Sequence, residues 1–280
     1  MNKIIQEGLR PHIETGKELR TGFILRFPKL EELPKEFIIQ PLTIKNQIAD
    51  GNDDFCASCA TTGAIEPREE VELYYPFLFA AAKAVTGEDP DSWGLPLDSI
   101  GKAVVKYGIP ELKDIPKEVL DLTPEQRRRL ENYPKSVRDS AYKHRAKSYL
   151  YITGPYDHYD NARALLWYFR NEKRNFVFGV NFGWNLDEEV LDGTPDGYGH
   201  ALYSGGWNDE NIGRAVNSAG LEAGKNGVHG ITRETFNYFA KKYNMIMFVD
   251  FPREMVEDYI RNDIKVGDGW FKRFLKRIFA

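Results

Sequence analysis

A change of pattern near Lys147 restricts the fold of this chain more than any other feature of its sequence. Before it, apolar residues recur at helical spacing. Pro76 to Val85 has proline in its first turn, alanines through its middle and Gly87 just past its end. Leu97 to Tyr107 sets Ile100, Val104 and Tyr107 on one stripe and stops at Gly108. Thr123, three residues ahead of Gln126, marks another helix start. A further helix is expected from Cys56 to about Ile65. After Lys147, Ser148 to Ile152 reads as a strand, and Phe176 to Phe182 alternates as a half-buried one. Gly199 to Gly206, Gly213 to Val216 and Gly227 to Thr232 read as short strands between glycine-rich turns, with one helix, Asp160 to Arg170, ahead of them. The expected class is α+β, a helical N-terminal half and an antiparallel β-rich C-terminal half with a cleft between them.

The flanks differ in character. Residues 1–32 are charged and weakly patterned, the mark of an arm or short leader, and 33–250 carry the folded body. In 251–280 the stretch Trp270 to Phe279 alternates apolar and basic pairs, which on a helix makes an aromatic face opposite a cationic one. Residues 267–280 are thus a candidate contact with a membrane surface or a protein partner. A net charge of −4 gives no reason to expect nucleic acid. Arg127-Arg128-Arg129, interleaved with Glu125 and Glu131, reads as a solvated helix face. Two cysteines make no disulfide framework, and the N-terminus lacks a signal-peptide core. These features suit a soluble protein of a reducing compartment, the cytoplasm, with a virion component as the other setting considered.

Both cysteines lie just where the first helix is expected to start. Backbone N–H groups and the positive end of the helix dipole there favour a thiolate. A thiol nucleophile also needs an imidazole partner and a group that orients the imidazole. His200 follows Cys59 by 141 residues, and Asn217 follows His200 by 17. Cys56 reads most simply as a small buried hydrophobe, with a Cys-x-x-Cys redox pair as the rival. His12, His144, His158 and His229 lack comparable context. No metal or cofactor is expected.

In order and spacing, these residues resemble the papain-like cysteine peptidases. Lys45-Asn46-Gln47 looks like the end of the family's mature N-terminal segment, and Cys56-Ala57-Ser58-Cys59-Ala60 is similar to its Cys-Gly-Ser-Cys-Trp. Gly94-Leu95-Pro96, followed by Tyr107-Gly108-Ile109, is similar to its glycine-rich substrate segment and the helix behind it. Asn217-Ser218-Ala219-Gly220, then Gly224-Lys225-Asn226-Gly227, is similar to its Asn-Ser-Trp-Gly passage. The likeness covers about residues 30–235. It implies a two-subdomain fold and a peptide or protein substrate. It also implies Cys59 as nucleophile, His200 as acid/base and Asn217 as orienter. Gln47 would donate to the oxyanion hole beside the Cys59 N–H, and Gly94 would pair with substrate backbone. Departures are Ala60 and Ala219 in place of aromatics, and twelve positions from Gln47 to Cys59 where the family has six. Residues 1–32 are also too short for the family's inhibitory proregion. The expected activity is endopeptidase cleavage through an acyl-enzyme. The alternative is an inactive or weak papain-like domain serving as a structural component of a larger assembly.

Overall fold

A computed structural model describes residues 9–10, 19–21, 25 and 27–250. The amphipathic 267–280 tail lies outside them. In chain order the elements begin with two short strands, β1 (Leu9–Arg10) and β2 (Phe37–Ile38). The helical half follows: α1 (Cys56–Glu69), α2 (Tyr75–Thr86), β3 (Leu95–Pro96), α3 (Leu97–Lys106), α4 (Lys117–Leu120), α5 (Pro124–Arg127) and α6 (Lys135–Ala141). The second half holds β4 (Ser148–Tyr151), α7 (His158–Tyr168), β5 (Phe176–Phe182), β6 (Val190–Leu191), β7 (Tyr198–Trp207), β8 (Ile212–Val216), β9 (Val228–Thr232), α8 (Arg233–Tyr243) and β10 (Met245–Val249). The switch near Lys147 therefore marks the boundary between the two halves, as expected.

The strands order β4-β10-β5-β7-β8-β9-β6, with β2 added along β7. All neighbours are antiparallel except β6 and β9. The ten-residue strand β7 is the hinge of the architecture. It pairs with β5 on one side, Val180 opposite His200, and with β8 on the other. Helix α1 lies across it. Gly63 makes that approach possible, because a Cβ there would fall 2.5 Å from the Tyr203 ring.

Local chemistry sets the helix limits. Gly87 adopts φ 69° and closes α2, donating its N–H to the Lys83 carbonyl. Thr123 and Gln126 form the reciprocal capping box anticipated from the sequence, although α5 lasts only four residues. Helix α1 runs four residues past its expected end, through Pro67, to a left-handed Glu70 whose N–H bonds to the Glu66 carbonyl. Its last turn is held by Glu66, fully buried, which pairs with Lys45 at 2.6 Å and accepts from Thr43 Oγ1 and the Leu73 N–H.

The three arginines 127–129 correct the expectation of a solvated face. Arg128 grips the buried Asp54 with both terminal nitrogens, at 3.0 and 2.5 Å, and its guanidinium lies against Phe55, Phe79 and Trp93. Arg127 donates to the Asp50 and Leu120 carbonyls, and Arg129 pairs with Asp91. Together they clamp the loops that precede α1 and β3.

One surface ties the end of α1 to the rest of the helical half. His144 Nδ1 lies 2.9 Å from Glu69, and its Nε2 lies 3.3 Å from Glu111. Arg68 and Lys113 are the neighbouring cations. The Glu69 hydrogen bond, offset by partial burial and reinforced by Glu111, raises the His144 pKa. A folded pKa above the unfolded value of about 6.5 gives stability that is complete below that pH and lost as pH rises through the folded value. Unfolding curves of the wild type and of His144→Gln should therefore differ most in acid and converge as pH rises. A stability gap that stays constant with pH would contradict this.

Candidate active site

The loop from Gln47 to Phe55 folds as a tight turn. Gln47 accepts the Asn52 N–H on its carbonyl, and its own N–H bonds to the Ser218 carbonyl. An Asn46–Ala219 bridge and a Gly220-to-Lys45 bond complete the contact. Residues 45–47 are thereby stitched to the segment that follows Asn217. The Gln47 amide is fully buried: Nε2 donates to the Asp53 carbonyl at 2.8 Å, and Oε1 accepts from Ser218 Oγ at 3.0 Å. One of its two N–H groups thus goes to the loop rather than toward a cleft.

His200 on β7 and Asn217, just past β8, meet as the sequence anticipated. His200 Nε2 lies 2.9 Å from Asn217 Oδ1. His200 Nδ1 is buried without a hydrogen-bond partner. Ala219 leaves no aromatic at its position, but β5 supplies one. The Phe182 ring packs edge-on against His200, with centroids 5.2 Å apart, and also meets His229 at 6.1 Å. Burial, partly offset by the Asn217 hydrogen bond, pulls the His200 pKa down to about 4.

The two cysteines part company at the helix start. Cys56 is the first residue of α1, so its N–H and those of Ala57 and Ser58 have no carbonyl one turn back. Burial pushes the Cys56 thiol up to about 12, against the N–H of Ala201, the residue after His200, and the N–H groups of Ala57 and Cys56 itself. Cys59 sits one turn further in. Its backbone N–H is spent on the Phe55 carbonyl at 3.0 Å. Its thiol is driven well above the usual range by burial and by the neighbouring Cys56, and it lies among Lys45, Asp50 and Glu66. The structure thus brings His200 and Asn217 together and sets the Cys56 thiol against the N–H of Ala201, the residue after the histidine.

Gly94 is positioned but not free. Its N–H donates to Asp54 Oδ2 at 3.1 Å, and its carbonyl accepts from the buried Lys83 Nζ at 2.8 Å. The backbone that offers an edge is instead Leu95–Pro96, and it is already paired. Strand β1 runs parallel to it, Leu9 opposite Leu95 and Arg10 opposite Pro96. Arg10 also pairs with Glu88. On its other side Leu9 backs onto the sheet: its carbonyl lies 1.9 Å from where a Cβ on Gly199 would stand, and its side chain 2.3 Å from that of Gly179. Only glycine at both positions admits it. Part of the expected N-terminal arm therefore spans the gap between the helical half and the His200 strand. A two-residue strand has no periodicity, so this pairing leaves no mark in the sequence. Residues 19–21 dock separately beside β4, where Leu19 accepts the Tyr151 N–H and Thr21 exchanges hydrogen bonds with Thr153.

Among the described residues no cluster of His, Cys, Asp and Glu has the grouping to hold a metal, and no helix is long and apolar enough to cross a membrane.

No family model matches the sequence, and no curated protein aligns with it. Solved structures do. Xylellain, a cysteine protease from Xylella fastidiosa, superposes with a TM-score of 0.67 at 16% identity over 90% of this chain and 99% of that one. Procathepsin B S9 from Trypanosoma congolense gives 0.61 at 14% identity, over 88% and 86% of the two chains. The bromelain protease from Ananas comosus, solved with the E64 inhibitor, gives 0.53 at 12% identity over 78% and 100%. The chain has the papain-like fold, with its helical and β-rich halves arranged as in these proteases.

Proposed function

We propose that the protein is a cysteine peptidase in which Cys56, not Cys59, attacks the peptide carbonyl. The observation that carries this reading is the helix start. Only in the first turn of α1 are backbone N–H groups available to a developing oxyanion, and Cys56 holds that place while Cys59 does not. His200, bonded through Nε2 to Asn217, keeps Nδ1 for the thiol proton. Gln47 stands nine positions before Cys56, which brings the spacing closer to the family's six than Cys59 allows. The second N–H of its amide supports a share in the oxyanion hole. The substrate is a peptide or protein in extended form, paired along Leu95–Pro96 where β1 now lies.

In the described state the site rests. Cys56, His200, Asn217 and Gln47 are each at most 1% exposed, and burial holds both the thiol and the imidazole neutral. The same burial favours the second reading, a papain-like domain kept as a binding or structural part. Displacing β1 separates the two. Leu9→Asp places a charge against Gly179 and Gly199 in a contact now 3% exposed, and is expected to release the strand. Mass mapping after iodoacetamide should then show Cys56 labelled at least ~10-fold faster than in wild type, which corresponds to a shift of about 1.4 kcal/mol toward the open state. The same variant should cut a peptide library at internal bonds. Fast Cys56 labelling with no cleavage would give the scaffold reading the better claim.

A further inference from the structure

Behind His200 runs a chain of hydrogen bonds that ends on a backbone carbonyl. The Glu188 carbonyl lies 2.6 Å from His229 Nδ1. His229 Nε2 lies 3.1 Å from Asn217 Nδ2, and Asn217 Oδ1 lies 2.9 Å from His200 Nε2. All three side chains are at most 1% exposed, so no solvent stands in for a missing partner.

The direction of this chain follows from its fixed end. A carbonyl oxygen only accepts, so His229 carries its proton on Nδ1. A neutral imidazole protonated there has its lone pair on Nε2, and Asn217 must turn its NH₂ toward it. The amide then presents Oδ1 to His200, whose Nε2 must be the N–H. The basic lone pair of His200 is left on Nδ1, the one ring nitrogen of these two histidines without a hydrogen-bond partner. Without His229 the amide of Asn217 has no preferred sense. Turned end for end it would offer NH₂ to His200 Nε2 and move the His200 proton to Nδ1, where it blocks acceptance of another.

We propose that His229 is a positioning residue: through Asn217 it sets which nitrogen of His200 is the base, with the Glu188 carbonyl as anchor. The consequence for catalysis rests on the reading of His200 as the acceptor of the Cys56 proton, but the tautomer chain does not. The fold is shaped to hold the ring. His229 sits on β9 opposite Ala215 of β8, and the Asn217 N–H bonds to the Gly227 carbonyl just before that strand. Gly224, at φ 52°, lets the preceding turn close on it, since a Cβ there would lie 2.8 Å from His229 Nδ1. Burial also keeps His229 neutral by lowering its pKa, as the acceptor role requires.

The test is ring-nitrogen NMR on the full-length chain at pH 7.5, with long-range ¹H–¹⁵N correlations reporting which nitrogen is protonated. Wild type should show His229 as the Nδ1–H form and His200 as the Nε2–H form, each as a single tautomer. His229→Phe should cost His200 that single form. His229→Gln, whose amide can donate to the Glu188 carbonyl and accept from Asn217, should restore it. His229 protonated on Nε2 in wild type overturns the proposal with no variant needed. So does a folded His229→Phe protein whose His200 is unchanged. Should that variant not fold, His200 in the Nδ1–H form in His229→Gln would overturn it equally. None of these readouts requires peptide cleavage, so failure of the peptidase reading is seen separately.

Discussion

On the Leu9→Asp background, Cys56→Ala is expected to abolish peptide cleavage and thiol-directed labelling, a loss of at least ~10³-fold, while Cys59→Ala keeps both within a few-fold of that parent. The two thiols are one helical turn apart, so the contrast tests position rather than chemistry. At Cys56 the sulfur lies against the N–H groups of Ala57 and Ala201 and against its own, a setting that stabilises a thiolate once water reaches it. At Cys59 the N–H is tied into the helix, and the thiol is driven well above the usual range by burial and the neighbouring Cys56. Truncating it leaves a small gap in the core, worth about 1 kcal/mol of stability and no chemistry. Activity should be followed on the Leu9→Asp background, where the cleft is open. Loss of activity with Cys59→Ala and retention with Cys56→Ala would reverse the assignment.

This contrast also shows what the sequence made legible. The helix start at Cys56 was readable, and so was the argument that its first turn activates a thiol. That argument points to Cys56. The likeness of Cys56-Ala57-Ser58-Cys59-Ala60 to a family motif points instead to Cys59, one turn further along the helix. Physical position and motif register differ, and the proposal of Cys56 rests on position, since the Cys59 N–H is bonded to the Phe55 carbonyl. The His200–Asn217 pair was legible because both residues flank recognisable strand and turn signals. His229 was not, because a lone histidine in a short strand is silent until the register of β8 and β9 places it behind Asn217. Arg128 misled for a related reason. A charged run looks solvated until a buried carboxylate 74 residues away claims one member. Helix α8 and strand β10 escaped too, although Met245 to Val249 is a continuous apolar run of the kind a central strand requires.

That buried carboxylate is also where a single change should cost most stability. Asp54 is fully buried two residues before Cys56. It accepts both terminal nitrogens of Arg128 and the N–H of Gly94. Asp54→Ala would leave the Arg128 guanidinium, only 14% exposed, packed on aromatic rings without a counter-charge, and would orphan the Gly94 N–H. Breaking such a pair by removing one partner costs about 3–5 kcal/mol, most of it the penalty on the charge left behind. Arg128→Met in the same background should return a large part of that loss, and a double-mutant cycle in urea would measure it. Near-zero coupling would mean that the pair is not an ion pair in solution. The chemistry should move the other way. The Asp54 charge is among the causes that raise the Cys56 thiol pKa, so its removal lowers that pKa and favours the thiolate. Asp54→Asn separates the two effects, because it keeps the shape and an acceptor for Gly94 while removing the charge. Compared on the Leu9→Asp background, it should label faster at Cys56 at a given pH than its Asp54 parent while denaturing earlier. Stability and thiol reactivity therefore oppose each other at this one carboxylate, which holds the loop before Cys56 in place at the cost of a less acidic thiol.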